Sequence, residues 1–192
     1  KTQSLTGLLL HRPLELLSEV GDDVYQTLAD LKMQNIVEKI GISIYQPQDL
    51  DALIPRFSFD IIQAPLNILD RRLISSGWLQ KLKQHGVEVH TRSAFLQGLL
   101  LMNPEERPDY FSSWTQLLSR FDHWRASQGL TALQACLGFL YQLEDIDRII
   151  VGVDRAQQLQ EIINSGLQAE LAIPNELESN DEGLINPARW TL

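Results

Sequence analysis

A histidine set at the end of a short apolar run is the first residue of this chain that can do chemistry. Leu8-Leu9-Leu10 leads straight into His11, and Arg12-Pro13 closes the run. An apolar stretch stopped by proline reads as a buried strand. That places an imidazole at the carboxyl end of a strand, where α/β folds gather ligands and reactions. An imidazole there can pass a proton or donate a hydrogen bond near neutral pH. The competing reading makes His11 an ordinary loop residue. Arg71 and Arg72 follow Asp70 and can either reach an anion or form a surface ion pair. His85 precedes a glycine and suits a helix C-terminus. His90 sits inside a strand, and His123 falls on the polar side of a helix. No pair of histidines and acids has metal-ligand spacing.

The elements that must position these groups alternate along the chain. Strand candidates are Leu5–Leu10, Val37–Ile44, Phe59–Ala64, Val87–Arg92 and Arg148–Val153. Most are apolar without alternation, as strands buried on both faces are. Helical patterns lie between them. Asp22–Lys32 carries Val24, Leu28 and Leu31, and Pro47 can open a short helix through Leu50, Leu53 and Ile54. Ser76 can cap a helix that Gly86 ends. Ser113 begins a longer helix with Trp114, Leu117, Leu118, Phe121 and Trp124 as its apolar stripe. Thr131 and Gln134 have capping-box spacing ahead of Leu133, Cys136, Leu137, Leu140 and Tyr141. A last helix spans Gln157–Asn164, and the tryptophans and Phe121 read as core. Strand and helix in alternation mean βαβ units and a parallel sheet. No Gly-x-Gly-x-x-Gly follows the first strand, so the Rossmann fingerprint is absent. An open doubly wound sheet and a portion of a (β/α)₈ barrel both remain.

Composition narrows the function classes. The chain has 192 residues, 44% of them hydrophobic and 21% charged, which fits a globular protein with one sizeable core. Its net charge of -9 argues against a nucleic-acid partner. An anionic cofactor stays possible, because loop geometry can bind phosphate inside an acidic protein. The single cysteine, Cys136, cannot make an internal disulfide, so a reducing, cytoplasmic setting is expected and the thiol reads as core. No apolar run approaches the ~18 residues of a membrane span, and no signal peptide opens the chain. It opens at Lys1, almost directly into a strand, which suits a stretch of a longer protein.

Five segments in fixed order carry a resemblance. They are Leu8-Leu-Leu-His11-Arg-Pro, Lys39-Ile-Gly-Ile-Ser43, Asp60-Ile-Ile-Gln63-Ala-Pro-Leu-Asn67, Arg92-Ser93-Ala-Phe95-Leu-Gln-Gly98 and Ile150-Val-Gly152-Val-Asp154. Together they resemble the aldo/keto reductases from the fourth barrel strand to the eighth. The resemblance implies an α/β fold, a TIM (β/α)₈ barrel of which this chain supplies the last five βα units. Residues 1–166 would form that portion and residues 167–192 an acidic tail, docked through Trp190 or not at all.

The family reduces carbonyls with NADP or NAD and no metal, using an Asp, a Tyr, a Lys and a His. His11 matches its histidine, which donates to the carbonyl oxygen as negative charge develops. The other three members belong to the first three units and have no counterpart here. Tyr25, Tyr45, Tyr110 and Tyr141 all lie in other segments. Ser43 matches a serine that hydrogen-bonds the nicotinamide carboxamide, although Ile44 stands where Asn is frequent. Gln63 matches the glutamine that holds the same amide. Arg92 stands where an aromatic ring commonly stacks, and a guanidinium can stack too. Ser93 and Phe95 lie in the loop along the pyrophosphate. At the adenosine end, Gly152 and Gln158 replace the frequent Lys and Arg. Arg155 is the local cation, Asp154 either faces the phosphate or caps the next helix, and Glu161 matches an adenine-side acid.

The expected function is the C-terminal part of an NAD(P)H-dependent oxidoreductase acting on a small carbonyl, inactive alone. The alternative is a non-catalytic, truncated or nucleotide-sensing protein. Either version would associate with itself or with the absent N-terminal part through edges at Leu5–Leu10 and Arg148–Val153. Lumen-facing Leu8, Leu10, Ile62 and Val89 or their neighbours would add to that drive.

Overall fold

The apolar run Leu8-Leu9-Leu10 completes a strand, β1 (Leu5–Leu10), whose residues are exposed or half-buried, so the expectation of a buried strand here is corrected. The computed structural model describes residues 4–166 and 170–191. The further strands are β2 (Val37–Ser43), β3 (Ile61–Pro65), β4 (Glu88–Arg92) and β5 (Arg148–Ile149). The helices are α1 (Gly21–Met33), α2 (Asp49–Leu53), α3 (Arg72–Ser75), α4 (Trp78–Gln84), α5 (Thr115–Ser127), α6 (Ala132–Tyr141), α7 (Ala156–Asn164) and α8 (Glu182–Ile185). The chain divides into two compact units, Lys1–Pro65 with Arg72–Thr91, and Leu66–Arg71 with Arg92–Leu192.

In the first unit β1 pairs parallel with β2, Leu8 opposite Ile40 and Leu10 opposite Ile42. β2 pairs parallel with β3, Gly41 opposite Ile61 and Ser43 opposite Gln63, and β4 is next in order. Helix α1 lies on one face of these strands. Its Leu28 packs with Val37 and Ile40, and Leu8, Tyr25 and Leu31 join them. The sequence reading of strand faces is therefore corrected. Leu8 turns to the helix layer, Leu10 and Ile62 share its face by register, and Ile62 and Val89 are fully buried. The other face presents Gly7, Lys39, Gly41, Ser43, Ile61 and Gln63. Runs such as Leu8-Leu9-Leu10 are apolar on both faces, so they carry no phase from which to read sidedness.

Asp60, just ahead of β3, locks the register. Its backbone N–H donates to the Ile40 carbonyl at 2.8 Å, and its carboxylate accepts from the Ile40 N–H at 2.9 Å. Its carbonyl accepts from the Glu88 N–H at 2.8 Å. Lys32, in the last turn of α1, completes the site with Nζ 2.7 and 2.6 Å from the two carboxylate oxygens. The third strand begins at Ile61, not Phe59, because Asp60 spends its groups on this lock.

Local signals explain the helix ends. α2 starts two residues after Pro47, because the buried Asp49 carboxylate accepts from the Tyr45 and Gln46 N–H groups. Ser76 accepts from the Trp78 N–H at 3.4 Å, while Gly77 takes the N-cap position of α4. Gly86 follows that helix at φ 71°, and His85 donates from Nδ1 to the Lys81 carbonyl at 2.7 Å.

In the second unit a 3₁₀ turn over Asp109–Trp114 comes first, so the helix expected from Ser113 begins at Thr115. Thr131 and Gln134 form the expected capping box on α6. That helix buries Ala135, Cys136, Leu137, Phe139 and Leu140, and burial pushes the Cys136 thiol up to about 12. β5 keeps only two residues; Ile150 and Val153 beyond it are exposed, so the predicted strand to Val153 is corrected.

Phe121 is core, but the tryptophans are half-buried and anchor through their indole N–H groups. Trp78 donates to Asp51, Trp114 to Asp181, Trp124 to the Ala172 carbonyl and Trp190 to the Leu184 carbonyl. Trp190 packs edge-on against Phe111, and Leu177, Leu184 and Ile185 are buried with it. Residues 167–169 and 192 of the predicted tail lie outside the described residues. Among the described residues no helix is long and apolar enough to cross a membrane.

Gly41 offers a direct test of the β2–β3 packing. A Cβ there would sit 2.2 Å from the Ile61 carbonyl oxygen, whereas one at Gly152 would meet nothing within 4 Å. Gly41→Ala is expected to destabilise the chain by more than about 3 kcal/mol, the upper end of ordinary overpacking. Gly152→Ala should leave the urea midpoint within about 0.5 kcal/mol of the parent. Equal midpoints for the two variants would refute the close approach.

Candidate functional site

The first unit gathers polar side chains at the carboxyl ends of β1, β2 and β3. His11 follows β1 directly and is exposed. Ser43 ends β2 and is buried, and its hydroxyl donates to Gln63 Oε1 at 2.9 Å. The register that sets Ser43 opposite Gln63 makes this contact, and it leaves the Gln63 amide NH₂ as a donor aimed by a fixed oxygen. Sequence reasoning set Tyr45 aside. The structure places its hydroxyl 3.4 Å from His11 Nε2, with the rings edge-to-face at 5.9 Å. The parallel β1–β2 register accounts for it: Leu10 opposite Ile42 brings residue 11 level with Ser43, two residues before Tyr45.

Deeper on the same face lies an ion cluster. Glu88 accepts from Lys39 Nζ and from His90 Nε2, the latter at 2.9 Å. The His90 and Lys39 hydrogen bonds hold the Glu88 carboxyl down from 4.5 to about 2. His90, read from sequence only as a strand histidine, is thus an internal partner.

The second unit holds a cavity of about 700 Å³. Arg92, Ser93 and Phe95 form one part of its lining, and Gly152, Asp154, Gln158 and Glu161 another. Leu101, Leu133, Ile150 and Ile162 add apolar surface. Residues picked from segments some 60 positions apart therefore share one wall. Arg155 does not line it. The reading of Asp154 as helix cap is corrected: Arg155 holds the N-cap position of α7, and Gln158 Oε1 does the capping, accepting from the Asp154 and Arg155 N–H groups at 2.8 and 3.2 Å. Glu161 accepts from Gln157 at 2.8 Å, and Arg92 donates to Ser93 Oγ at 3.2 Å.

The surface position expected for Arg71 is also corrected. Arg71 is buried, its Nε donates to the Ile68 carbonyl and its Nη2 to the Pro174 carbonyl, both at 2.9 Å, and its guanidinium lies over the Phe139 ring. Through the Pro174 carbonyl it holds the tail. Among the described residues no group of three or more His, Cys, Asp or Glu could hold a metal ion.

A family model described as the aldo/keto reductase family matches residues 1–173. No curated protein matches the chain. Among solved structures it is similar to the aldo-keto reductase AKR11C1 from Bacillus halodurans in its holo form, with 19% identity and a TM-score of 0.70, covering 88% of this chain and 58% of that one. The apo form gives a TM-score of 0.71 at the same 19% identity, covering 92% and 60%. A thermostable aldo-keto reductase, Tm1743, in complex with the inhibitor epalrestat, gives 18% identity and a TM-score of 0.63, covering 92% and 58%. The likeness shows the fold, an α/β chain of parallel strands that corresponds to part of a TIM barrel. The chain spans less than two thirds of the length of these relatives.

The Glu88 cluster yields a pH prediction. A carboxyl whose value is depressed on folding stabilises the fold above the unfolded value and loses that contribution as pH falls through the folded one. Glu88→Gln should therefore be less stable than the parent at neutral pH, and the gap should close between pH 4.5 and about 2. Urea midpoints of both chains across that window measure it. A gap that persists unchanged near pH 2 would show that the carboxylate charge is not what the cluster uses.

Proposed function

The chain belongs to the aldo/keto reductase family, and from that premise we propose that it is part of an NAD(P)H-dependent oxidoreductase that reduces a small carbonyl to an alcohol. The observation that carries the proposal is the second-unit cavity, where sequence-picked cofactor residues from distant segments meet. Its chemistry fits a dinucleotide. The wall is part apolar, for a ring, and its loop 92–98 turns back on itself with Gly98 at φ 87°, a backbone that can present N–H groups to phosphate. The paired Ser43 and Gln63 fit a carboxamide, since an amide needs a donor and an acceptor together.

When bound, the dinucleotide supplies the hydride. The chain's own residues would do the rest. Ser43 and Gln63 would hold the carboxamide. The loop through Ser93 and Phe95 would bind the pyrophosphate, and the family resemblance assigns Arg92 to the ring. Gly152, Asp154, Gln158 and Glu161 would surround the adenosine end; Arg155, which the resemblance also assigns there, does not line the cavity. His11 donates to the carbonyl oxygen as charge develops there, steadied by the Tyr45 hydroxyl 3.4 Å away. The family's general acid, a tyrosine with its lysine and aspartate, is not matched by position in this sequence. The 192-residue chain is therefore proposed to bind dinucleotide without turning substrate over.

Two measurements check this. Mixed with NADH or NADPH and a panel of aldehydes, the chain should oxidise no cofactor above background. Reproducible stoichiometric oxidation would end the assignment of the acid to other units. Fluorescence titration should show binding of both cofactors with a preference below about tenfold, or 1.4 kcal/mol. Gln158 is neutral, with its Oε1 used as a helix cap, and Gly152 carries no side chain, so neither brings a cation to a 2′-phosphate. A thousand-fold preference for NADPH would refute that account of the adenosine end.

A further inference from the structure

Asn67 is fully buried, and the two ends of its amide serve two different loops. Oδ1 accepts from the Leu69 and Asp70 N–H groups at 3.0 and 2.9 Å, folding the turn that Asn67 begins. Nδ2 points the other way and donates to the Ser93 carbonyl at 3.1 Å. The same carbonyl accepts from the Leu96 N–H at 2.9 Å, so both of its lone pairs are engaged. One residue earlier, the Leu66 N–H donates to the Arg92 carbonyl at 3.1 Å. The turn and the loop are thus held by two adjacent bonds.

The loop they hold is strained. Ser93, Leu96 and Gln97 have φ of 62°, 47° and 52°, a conformation that a Cβ disfavours, and Gly98 follows at 87°. Among the described residues the only other non-glycine with positive φ is Asn35, a residue type that tolerates it. Strain of this kind persists where the surroundings impose it, and it collects at ligand sites. Ser93, Gln97 and Gly98 line the cavity, and Asn67 does not.

The geometry points to Asn67 as the positioning residue of the cavity wall: from behind, its amide holds Ser93 in the left-handed conformation that aims the loop at a bound dinucleotide. This rests on the dinucleotide reading of the cavity. The loop's backbone groups bind in that reading, so their direction is what Asn67 controls. The turn at Leu69 and Asp70 needs only an acceptor at position 67. The N–H donor aimed at Ser93 is the part that serves the site.

Two substitutions separate these parts. Asn67→Ser keeps a short acceptor for its own turn but cannot reach Ser93. Asn67→Asp keeps the length and the acceptor and loses the donor, and it serves if the serine variant fails to fold. Ser93→Gly removes the penalty for positive φ, so it should make the hold unnecessary. NADH affinity of the 192-residue chain, of Asn67→Ser, of Ser93→Gly and of the double variant would be read by tryptophan fluorescence. Asn67→Ser is expected to weaken binding about tenfold, and in the Ser93→Gly background to weaken it less than about threefold. Unchanged affinity in Asn67→Ser overturns the proposal, and so does an equal loss in both backgrounds. If the parent chain binds no NADH, the dinucleotide reading falls, and urea unfolding of the same four chains still decides the coupling. A smaller cost of Asn67→Ser in the Ser93→Gly background supports the hold on Ser93, and equal costs overturn it.

Discussion

One aspartate sets the geometry on which the first unit's site depends. Asp60 ties its backbone to Ile40 in both directions, passes its carbonyl to Glu88, and binds Lys32 of α1 with its carboxylate. A single residue thus fixes β2, β3 and β4 in one register. The consequence appears three residues further on, where Ser43 stands opposite Gln63 and their side chains meet. A slip of one residue would turn every side chain to the other face and put Ile42 or Ile44 where the serine belongs. The ion pair with Lys32 is half-exposed and adds little by itself. The buried backbone bonds matter more, because an unpaired N–H in this layer costs about 1–3 kcal/mol.

The same register explains which parts of the molecule were legible in the sequence. Strand existence was legible, because apolar runs between turn residues leave few alternatives; β1 matches its predicted bounds, and β2, β3 and β4 shift by one or two residues at their ends. Sidedness was not, since Leu8-Leu9-Leu10 and Ile61-Ile62 read alike from either face. β5 was over-extended because Val151-Gly152-Val153 has strand composition but no partner requirement that composition can reveal. Capping was half legible: Thr131 announced α6, whereas α7 is capped from inside by Gln158, a side chain that sequence reasoning spent on a ligand. The residues grouped at the cavity came from ordered motifs rather than from chemistry, and the structure adds that they share a wall. Sequence reasoning gives no role to Tyr45 or to Asn67, the last residue of its motif, because their roles are relations between loops, visible only once the strands are in register.

Arg71 shows how a surface-looking charge becomes internal. In the sequence it follows an aspartate and precedes another arginine, the pattern of a solvated loop. In the fold it is desolvated, which pushes its guanidinium down from its usual range, while Glu178 pulls it back up. Its fork of donors is used on the Ile68 and Pro174 carbonyls, and its flat face on Phe139. A lysine could supply the charge but not the two directed bonds and the stacked plane. The acidic tail is thereby tied down from one side by this cation. Indole and phenol groups of Trp114, Trp124 and Tyr110 hold its backbone and Asp181 from the other. Its net negative charge does not make it a free strap, because Leu177, Leu184 and Ile185 are buried, and such side chains are worth about 1.5–3 kcal/mol each.

The charge balance of the cavity bears on how an acidic chain could hold an anion at all. The chain carries -9, and the described cavity lining sets one cation, Arg92, against Asp154 and Glu161. Coulomb attraction from side chains is therefore a poor source of phosphate affinity here. Oriented backbone dipoles are a better one, since a few N–H groups turned inward by a loop bind phosphate locally whatever the distant net charge, which solvent screens beyond about 10 Å. Such a site trades charge for direction: its affinity depends on the loop keeping an unfavourable backbone shape. A neutral, buried amide behind the loop would then matter more to an anion than an arginine beside it, and such a site would not depend on Arg155, which does not line the cavity.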